Sequence, residues 1–360
     1  MYKTSELELN KLLSIVLERN ASDLHLITGE PPIVRIDGSL IRLEDFEVLN
    51  LEAIQNISDL LITTKRQREL FESNSDVDLS YSFKDNVRFR VNIYRQKGLL
   101  AAAFRLIPNR VKTVQELNLP DALLKFMDKR EGLVLMVGPT GHGKSTALAA
   151  MIDYVNTTRF EHILTIEDPI EFIFTPQKSI VNQREVDVDT PTFGQALKAS
   201  LREDANVILV GEIRDYESIA AAITIAETGH LVLATLHTND AAQTIDRIID
   251  VFPPHQQAQV RSQLSSLLVS IISLRLLPKI GGGRVPAVEI LVNNAAVANI
   301  IREGKTFQLN STIQTSMESG MIPMDKALAQ LVATGQVDLE TAQVYVKDMD
   351  YFRSIISKGL

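Results

Sequence analysis

Leu7, Leu9, Leu12, Leu13, Val16 and Leu17 fall mostly at helical spacing, and they predict an amphipathic helix with one apolar face. Short β-rich stretches follow at 24–28, 33–36 and 40–43, the last entered through the turn residues Asp37-Gly38-Ser39. A helical pattern then runs over 51–71. Three more strand patterns occupy 77–83, 87–94 and 99–106, the first two joined by the polar turn Lys84-Asp85-Asn86. Together these predict a mixed α+β domain over residues 1–106. Residues 107–118 hold Pro108 and little periodic pattern, which marks a linker.

Beyond that linker the rhythm changes. Apolar runs at 133–137, 162–166, 207–210 and 231–235 alternate with helical patterns such as 145–155 and 216–227. Short, continuously apolar strands separated by helices predict a parallel sheet covered on both faces. Residues 119–360 therefore read as a second, α/β domain. After Asp240 the pattern reads as mainly helical to the end, broken near Pro253-Pro254, at Gly281-Gly282-Gly283 and at Pro323. No internal repeat or low-complexity tract interrupts it.

Composition narrows the field of functions. The 360 residues are 45% hydrophobic and 23% charged, the balance of a folded chain of about two domains. Lys and Arg number 37 against 45 Asp and Glu, a formal charge of −8, which argues against a general nucleic-acid coat. The absence of cysteine excludes disulfides, thiolate zinc sites and cysteine nucleophiles, and suits a reducing compartment. Residues 264–277 are the longest apolar run, but they include Arg275 and several serines and fall short of the roughly 20 residues a membrane span needs. The first 20 residues carry acids and no apolar signal core. A cytoplasmic protein without a membrane span is expected.

Candidate chemistry concentrates in the second domain. Gly138-Pro139-Thr140-Gly141-His142-Gly143-Lys144-Ser145 fits the phosphate-binding loop pattern, between a buried-strand candidate and a helix. Its glycines let backbone N–H groups wrap an anion, and the helix start adds positive potential. Lys144 would contact the β and γ phosphates of ATP, Ser145 would coordinate Mg²⁺, and Thr146 completes the binding set. Glu212 follows the apolar strand 207–210, with Gly211 where many such enzymes carry Asp, and would hold the Mg²⁺ shell or polarise water.

Ile166-Glu167-Asp168-Pro169-Ile170-Glu171 supplies more carboxylates just past another strand. The C-terminal ends of parallel strands share one rim, so Glu167 can orient the attacking water as general base, while Asp168 before Pro169 can equally be an ordinary turn former. His230 and His237 bracket the strand 231–235 at a spacing unsuited to a metal pair on one helix face. Each is a candidate γ-phosphate sensor, the alternative being a structural histidine. Arg88, Arg90, Arg95 and Arg105 form either a solvated basic face or a source of arginine fingers given in cis or by a neighbouring subunit.

These motifs together resemble the secretion-superfamily ATPases, in particular the pilus retraction ATPases of the PilT family, along nearly the whole chain. Ala21-Ser22-Asp23-Leu24-His25-Leu26 with Pro31-Pro32 resembles the family's N-terminal signature, and residues 166–171 its Asp box. Thr228-Gly229-His230 through Leu236-His237-Thr238-Asn239-Asp240-Ala241 resembles its His box. Lys279-Ile280-Gly281-Gly282-Gly283-Arg284 and Ile301-Arg302-Glu303-Gly304-Lys305 resemble the retraction branch.

The resemblance implies a homohexameric motor with a PAS-like N-terminal domain and a RecA-like ATPase domain that ends in a helical portion. It implies Glu167 as general base, Glu212 as Walker B acid, and Arg90 and Arg105 as arginine contacts to a shared nucleotide. Expected partners are an inner-membrane platform protein of the pilus machine and a paralogous retraction ATPase, and no nucleic acid. Two departures stand out: His142 where the family usually has Ser, and Ala298 where the motif before Arg302 usually carries Arg. The assembly branch commonly inserts a Cys-rich zinc module, so the lack of cysteine favours retraction. An accessory paralogue or an assembly or type II secretion ATPase is the nearest alternative, and a RecA-like nucleic-acid translocase a more distant one.

Overall fold

The computed structural model describes residues 2–358 apart from 37, 85, 86, 108, 109 and 214. Asp37, Asp85 and Asn86 of the two expected turns, and Pro108 of the expected linker, thus lie outside the described residues. The chain divides into two compact units. One comprises Met1–Arg110 with Pro169–Phe174 and Glu185–Asp189; the other comprises Val111–Asp168, Thr175–Arg184 and Thr190–Leu360.

The first unit opens with helix α1 (Tyr2–Glu18) and strands β1 (Asp23–Ile27), β2 (Ile33–Ile36) and β3 (Ser39–Arg42). Helices α2 (Leu51–Leu61) and α3 (Lys65–Asn74) follow, then β4 (Asp76–Phe83), β5 (Val87–Gln96) and β6 (Leu99–Ile107). The helical pattern of 51–71 breaks because Thr64 starts a new helix through a reciprocal capping box with Gln67. The six strands form one sheet in the order β3-β2-β1-β6-β5-β4. Every recorded pairing in it is antiparallel. One face buries Leu24, Leu26, Phe89, Val91, Ile93 and Phe104 with Leu9, Leu13, Val16 and Ile54 of the helices. The other is polar: Arg90 lies opposite Arg105, Arg105 opposite Asp23, and Asp23 opposite Arg35, one row across four strands.

The second unit alternates strand and helix: α4 (Ala122–Met127), β7 (Gly132–Val137), α5 (Lys144–Thr158), β8 (His162–Glu167) and β9 (Ile180–Glu185). Then come α6 (Phe193–Ser200), β10 (Val207–Val210), α7 (Tyr216–Glu227), β11 (Leu231–Leu236), α8 (Ala241–Asp250) and α9 (Pro254–Leu267). The chain continues through β12 (Leu268–Pro278), β13 (Arg284–Val292), α10 (Ala295–Glu303), α11 (Leu309–Thr315), α12 (Met324–Ala333), α13 (Leu339–Gln343) and α14 (Met349–Lys358). The sheet order is β13-β12-β7-β11-β10-β8-β9. Strands β12, β7, β11, β10 and β8 run parallel, with β13 antiparallel at the edge. Strands β7, β10 and β11 are buried at every position, the signature of a sheet covered on both faces.

The region after Asp240 corrects the sequence reading. It was expected to be mainly helical, yet it contains the long hairpin β12–β13, and 264–277 is the last turn of α9 followed by β12. A continuous apolar run has no period to separate a buried strand from a buried helix. Its serines are satisfied inside the sheet: Ser270 Oγ donates to Leu291 O at 2.8 Å and Ser273 Oγ to Glu289 Oε1 at 3.1 Å. Strand β9 was likewise not expected. Among the described residues, no helix is long and apolar enough to cross a membrane. The C-terminal helices pack on the hairpin, with Leu328, Ala329, Ala342 and Phe352 against Leu277, Val285 and Ala287.

Candidate functional site

The phosphate loop leaves the C-terminal end of β7 and enters α5 through Gly143, whose φ of 86° suits glycine. Gly138, at φ 142°, lies where a Cβ would run into the carbonyl oxygen of Leu274 on β12, so the loop's first residue must be glycine. The Lys144 side chain is buried and folds back over the loop, donating to Gly138 O at 2.7 Å and Pro139 O at 3.0 Å. That ammonium thus lies within the loop's own concavity, and α5 begins directly beneath with Ser145 and Thr146 in its first turn.

His142 points back to β12: its Nδ1 accepts the Leu276 N–H at 2.9 Å. This bond puts the ring proton on Nε2. Burial holds the imidazole below its ordinary value, with Arg275, Lys144 and Arg284 adding repulsion. Thr140 on the loop's other arm meets His237 Nδ1 at 3.2 Å. His237 Nε2 in turn lies 3.0 Å from Glu212 Oε1. One imidazole therefore bridges the phosphate loop and the carboxylate that follows β10.

The register explains the convergence. Leu236 pairs with Val137, Ala234 with Val210, and Val210 with Ile166, so the ends of β7, β11, β10 and β8 form one rim. Gly211 occupies the crowded place on it: a Cβ there would lie 3.2 Å from Ile166 O and 3.3 Å from Glu167 Cα. That is a physical reason for glycine where many phosphate-loop enzymes carry Asp. Its neighbour Glu167 is buried, accepting from Thr165 Oγ1 at 2.7 Å and Gln183 Nε2 at 3.4 Å.

Other candidates lie apart from this rim. His230 precedes β11, its carbonyl accepting the Gly132 N–H at 3.0 Å and its Nδ1 lying 3.0 Å from Thr228 Oγ1. Six residues of strand separate it from His237, roughly 20 Å at the usual rise. In the first unit, Arg90 pairs with Asp78 at 3.1 Å and Arg105 with Asp23 at 2.9 Å. Burial pushes the Asp23 carboxyl up, but the Ser22 hydroxyl and the Arg105 guanidinium outweigh it and hold it low. Arg88 pairs with the buried Glu185 at 2.7 Å. Sequence reasoning missed Arg275 and Lys347, which reach the loop after His237; nothing in their local pattern distinguishes them from surface cations.

A glycine-lined loop at a helix start, a buried lysine within it and acids on the same rim define a phosphate-loop nucleotide hydrolase. The comparisons with known proteins narrow that class. The family described as Type II/IV secretion system protein matches residues 3–282. The type IV pilus retraction ATPase PilT of Pseudomonas aeruginosa is 47% identical over 348 residues, which cover 96% of this chain and 100% of that protein. A twitching motility protein of Neisseria gonorrhoeae is 47% identical over 87% of this chain and 83% of its own length. A crystal structure of the pilus retraction motor PilT with bound ADP superposes with a TM-score of 0.88 at 46% identity, over 96% of this chain and 99% of that one. The chain belongs to the type II/IV secretion family and, within it, to the pilus retraction ATPases.

Proposed function

We propose that this chain, as a homohexamer, is the cytoplasmic motor that converts ATP hydrolysis into retraction of a type IV pilus. Residues 107–118 would serve as the linker between an N-terminal domain (1–106) and the ATPase domain (119–360). The observation that carries the reading is the His237 bridge, which ties Thr140 of the phosphate loop to Glu212. The retraction relatives supply the direction of work.

In this reading Gly138, Pro139, Thr140, Gly141, His142 and Gly143 cradle the phosphates with backbone N–H groups. Lys144 exchanges its two loop carbonyls for β and γ oxygens. Glu167 takes the proton from the water that attacks the γ-phosphorus, the bond to the β–γ bridging oxygen breaks, and ADP and phosphate leave. Its Thr165 and Gln183 partners orient the carboxylate. His237 reports the γ-phosphate to Glu212, whereas His230, at the far end of β11, takes no nucleotide contact in its own subunit. Arg90 and Arg105 would contact a nucleotide across the ring, leaving their acidic partners to do so.

The donor set suits Mg²⁺: the Ser145 hydroxyl and Glu212 carboxylate are hard oxygens, and no cluster of three His, Asp or Glu ligands occurs among the described residues. An ion that keeps waters and phosphate oxygens needs no more. When bound, it would neutralise charge on the phosphate oxygens. An inner-membrane platform protein is the partner this function calls for, and a paralogous retraction ATPase is a further candidate.

Lys144→Ala should abolish Mg²⁺-dependent ATP turnover by the purified protein and weaken nucleotide binding. Turnover equal to the parent would overturn the site. Complementation of a deletion strain decides direction: restored fibre shortening and twitching support retraction, and longer fibres without twitching overturn it.

A further inference from the structure

His237 reaches Thr140 and Glu212 from a short loop, and the loop's own contacts only partly fix it. Thr238 Oγ1 meets Thr244 Oγ1 at 2.7 Å, and the Asn239 N–H donates to Gln243 Oε1 at 2.7 Å, both onto α8. Asp240 caps that helix, accepting the Gln243 N–H at 2.9 Å. The remaining restraints arrive from distant parts of the second unit. Arg275 on β12 donates to Asn239 Oδ1 at 2.8 Å, and its guanidinium stands 5.8 Å from the Tyr345 ring. Lys347 Nζ lies 3.1 Å from both Asp240 Oδ2 and Glu289 Oε2.

Glu289 is 3% exposed and is held from three sides. Besides Lys347 it accepts the Ala241 N–H at 3.2 Å, at the positive end of α8, and the Ser273 hydroxyl at 3.1 Å. Lys347 is as firmly anchored from behind. Its N–H and that of Asp348 donate to the buried carboxylate of Asp325 on α12, at 2.8 and 2.9 Å. Burial pulls the Lys347 ammonium down, but Glu289 and Asp240 more than offset it and hold it above the ordinary lysine value. The ammonium is charged at neutral pH. Its backbone lies in the short connection between α13 and α14, and its charge sits on the cap residue three positions after His237.

We propose that Lys347 is a positioning residue for His237, by which the C-terminal helical segment sets how His237 is presented to Glu212 and Thr140. This rests on the reading of His237 as the γ-phosphate contact given above. A stay on Asp240 and on the first residue of α8 fixes both the direction in which α8 leaves and the height of the loop before it. Release of the C-terminal segment would let that loop drift without touching Lys144 or the phosphate cradle. Nucleotide binding and turnover should therefore separate.

Lys347→Met alone is ambiguous, since removing one partner leaves Glu289 buried and uncompensated. The full-length double variant Lys347→Met with Glu289→Gln removes both charges and keeps an acceptor for Ser273 and Ala241. It should melt near the parent, bind ATP within about twofold and lose about tenfold in kcat, the size of coupling that a shared network carries. Lys347→Arg, which keeps the cation, should recover most of the turnover. Asp240→Asn keeps the α8 cap and loses the ion pair; it should show the same loss and decides the matter if the double variant does not fold. Parental kcat in folded Asp240→Asn or double-variant protein overturns the proposal, as does a loss of ATP affinity as large as the loss of kcat. A parent that does not hydrolyse ATP would instead overturn the site itself.

Discussion

In the seven-stranded sheet β7, β10 and β11 are buried at every position, whereas β5 in the six-stranded sheet alternates, with Phe89, Val91 and Ile93 inward and Arg88, Arg90 and Asn92 less buried. A strand covered on both faces can offer chemistry only at its ends. The phosphate loop, Glu167, Glu212 and His237 accordingly all follow or close the C-terminal ends of parallel strands. A strand with one polar face can offer chemistry along its length. On that polar face the row Arg35, Asp23, Arg105 and Arg90 crosses four neighbouring strands, with a cation or anion on each. The two sheets thus differ in form: one gathers polar groups at a single rim, and the other spreads charge over a face.

The largest test asks whether that surface takes part in chemistry. Arg90→Ala should lower ATP turnover by about 10³-fold with ATP binding and ring assembly intact, as loss of an arginine finger does elsewhere. Mixing inactive Arg90→Ala subunits with inactive Lys144→Ala subunits should then restore part of the activity. A change under about twofold would reduce the row to surface ion pairs and make the division between the sheets complete. Next in size is Glu167→Gln, which keeps shape and hydrogen bonding but removes the base. It should slow turnover by about 10²-fold with ATP affinity little changed. An unaltered rate would move the proton acceptor to Glu212.

A smaller effect compares the two ends of one strand. His237→Ala should cost about tenfold in kcat, the loss of a charge-assisted contact, and His230→Ala less than about twofold. Equal losses would break the argument that, of the two ends of β11, only the C-terminal one is chemical.

The smallest concerns acid. Burial holds His25 and His142 below the ordinary 6.5. Asp23 opposes this at His25, while Arg35 and Arg105 add to it. The unfolded chain therefore takes up these protons first as pH falls through about 6.5, and stability declines until the depressed folded values are passed. His142→Asn should flatten the fall in melting temperature between about pH 7 and 5, and an unchanged slope would assign the acid sensitivity elsewhere.

The parallel strands and the loop were legible because both are local patterns: short apolar runs, and glycines with Lys144 and Ser145 at fixed spacing. Glu167 and Glu212 were legible from their position after such runs. The β12–β13 hairpin was not, since β12 lacks alternation and is covered on both sides. Nor could the sequence rank the two histidines, because only the direction of β11 puts His237 beside the loop and His230 away from it. The reason for glycine at 211 was also hidden, since the atoms that crowd it belong to Ile166 and Glu167 on another strand.

Strand β12 sits directly beside β7, with Leu268 opposite Leu133, and the first loop glycine rests against Leu274 of that late strand. In time rather than space, the nucleotide site depends on a strand made some 130 residues after β7, Leu268 being paired with Leu133. Parallel pairing between strands so far apart in sequence carries a high loop-closure cost and forms slowly. The helix that begins at Lys144 can form early on its own residues, but the cradle before it has no floor until β12 docks. A chain that ends before β12 therefore lacks the backbone at Leu274 against which Gly138 packs.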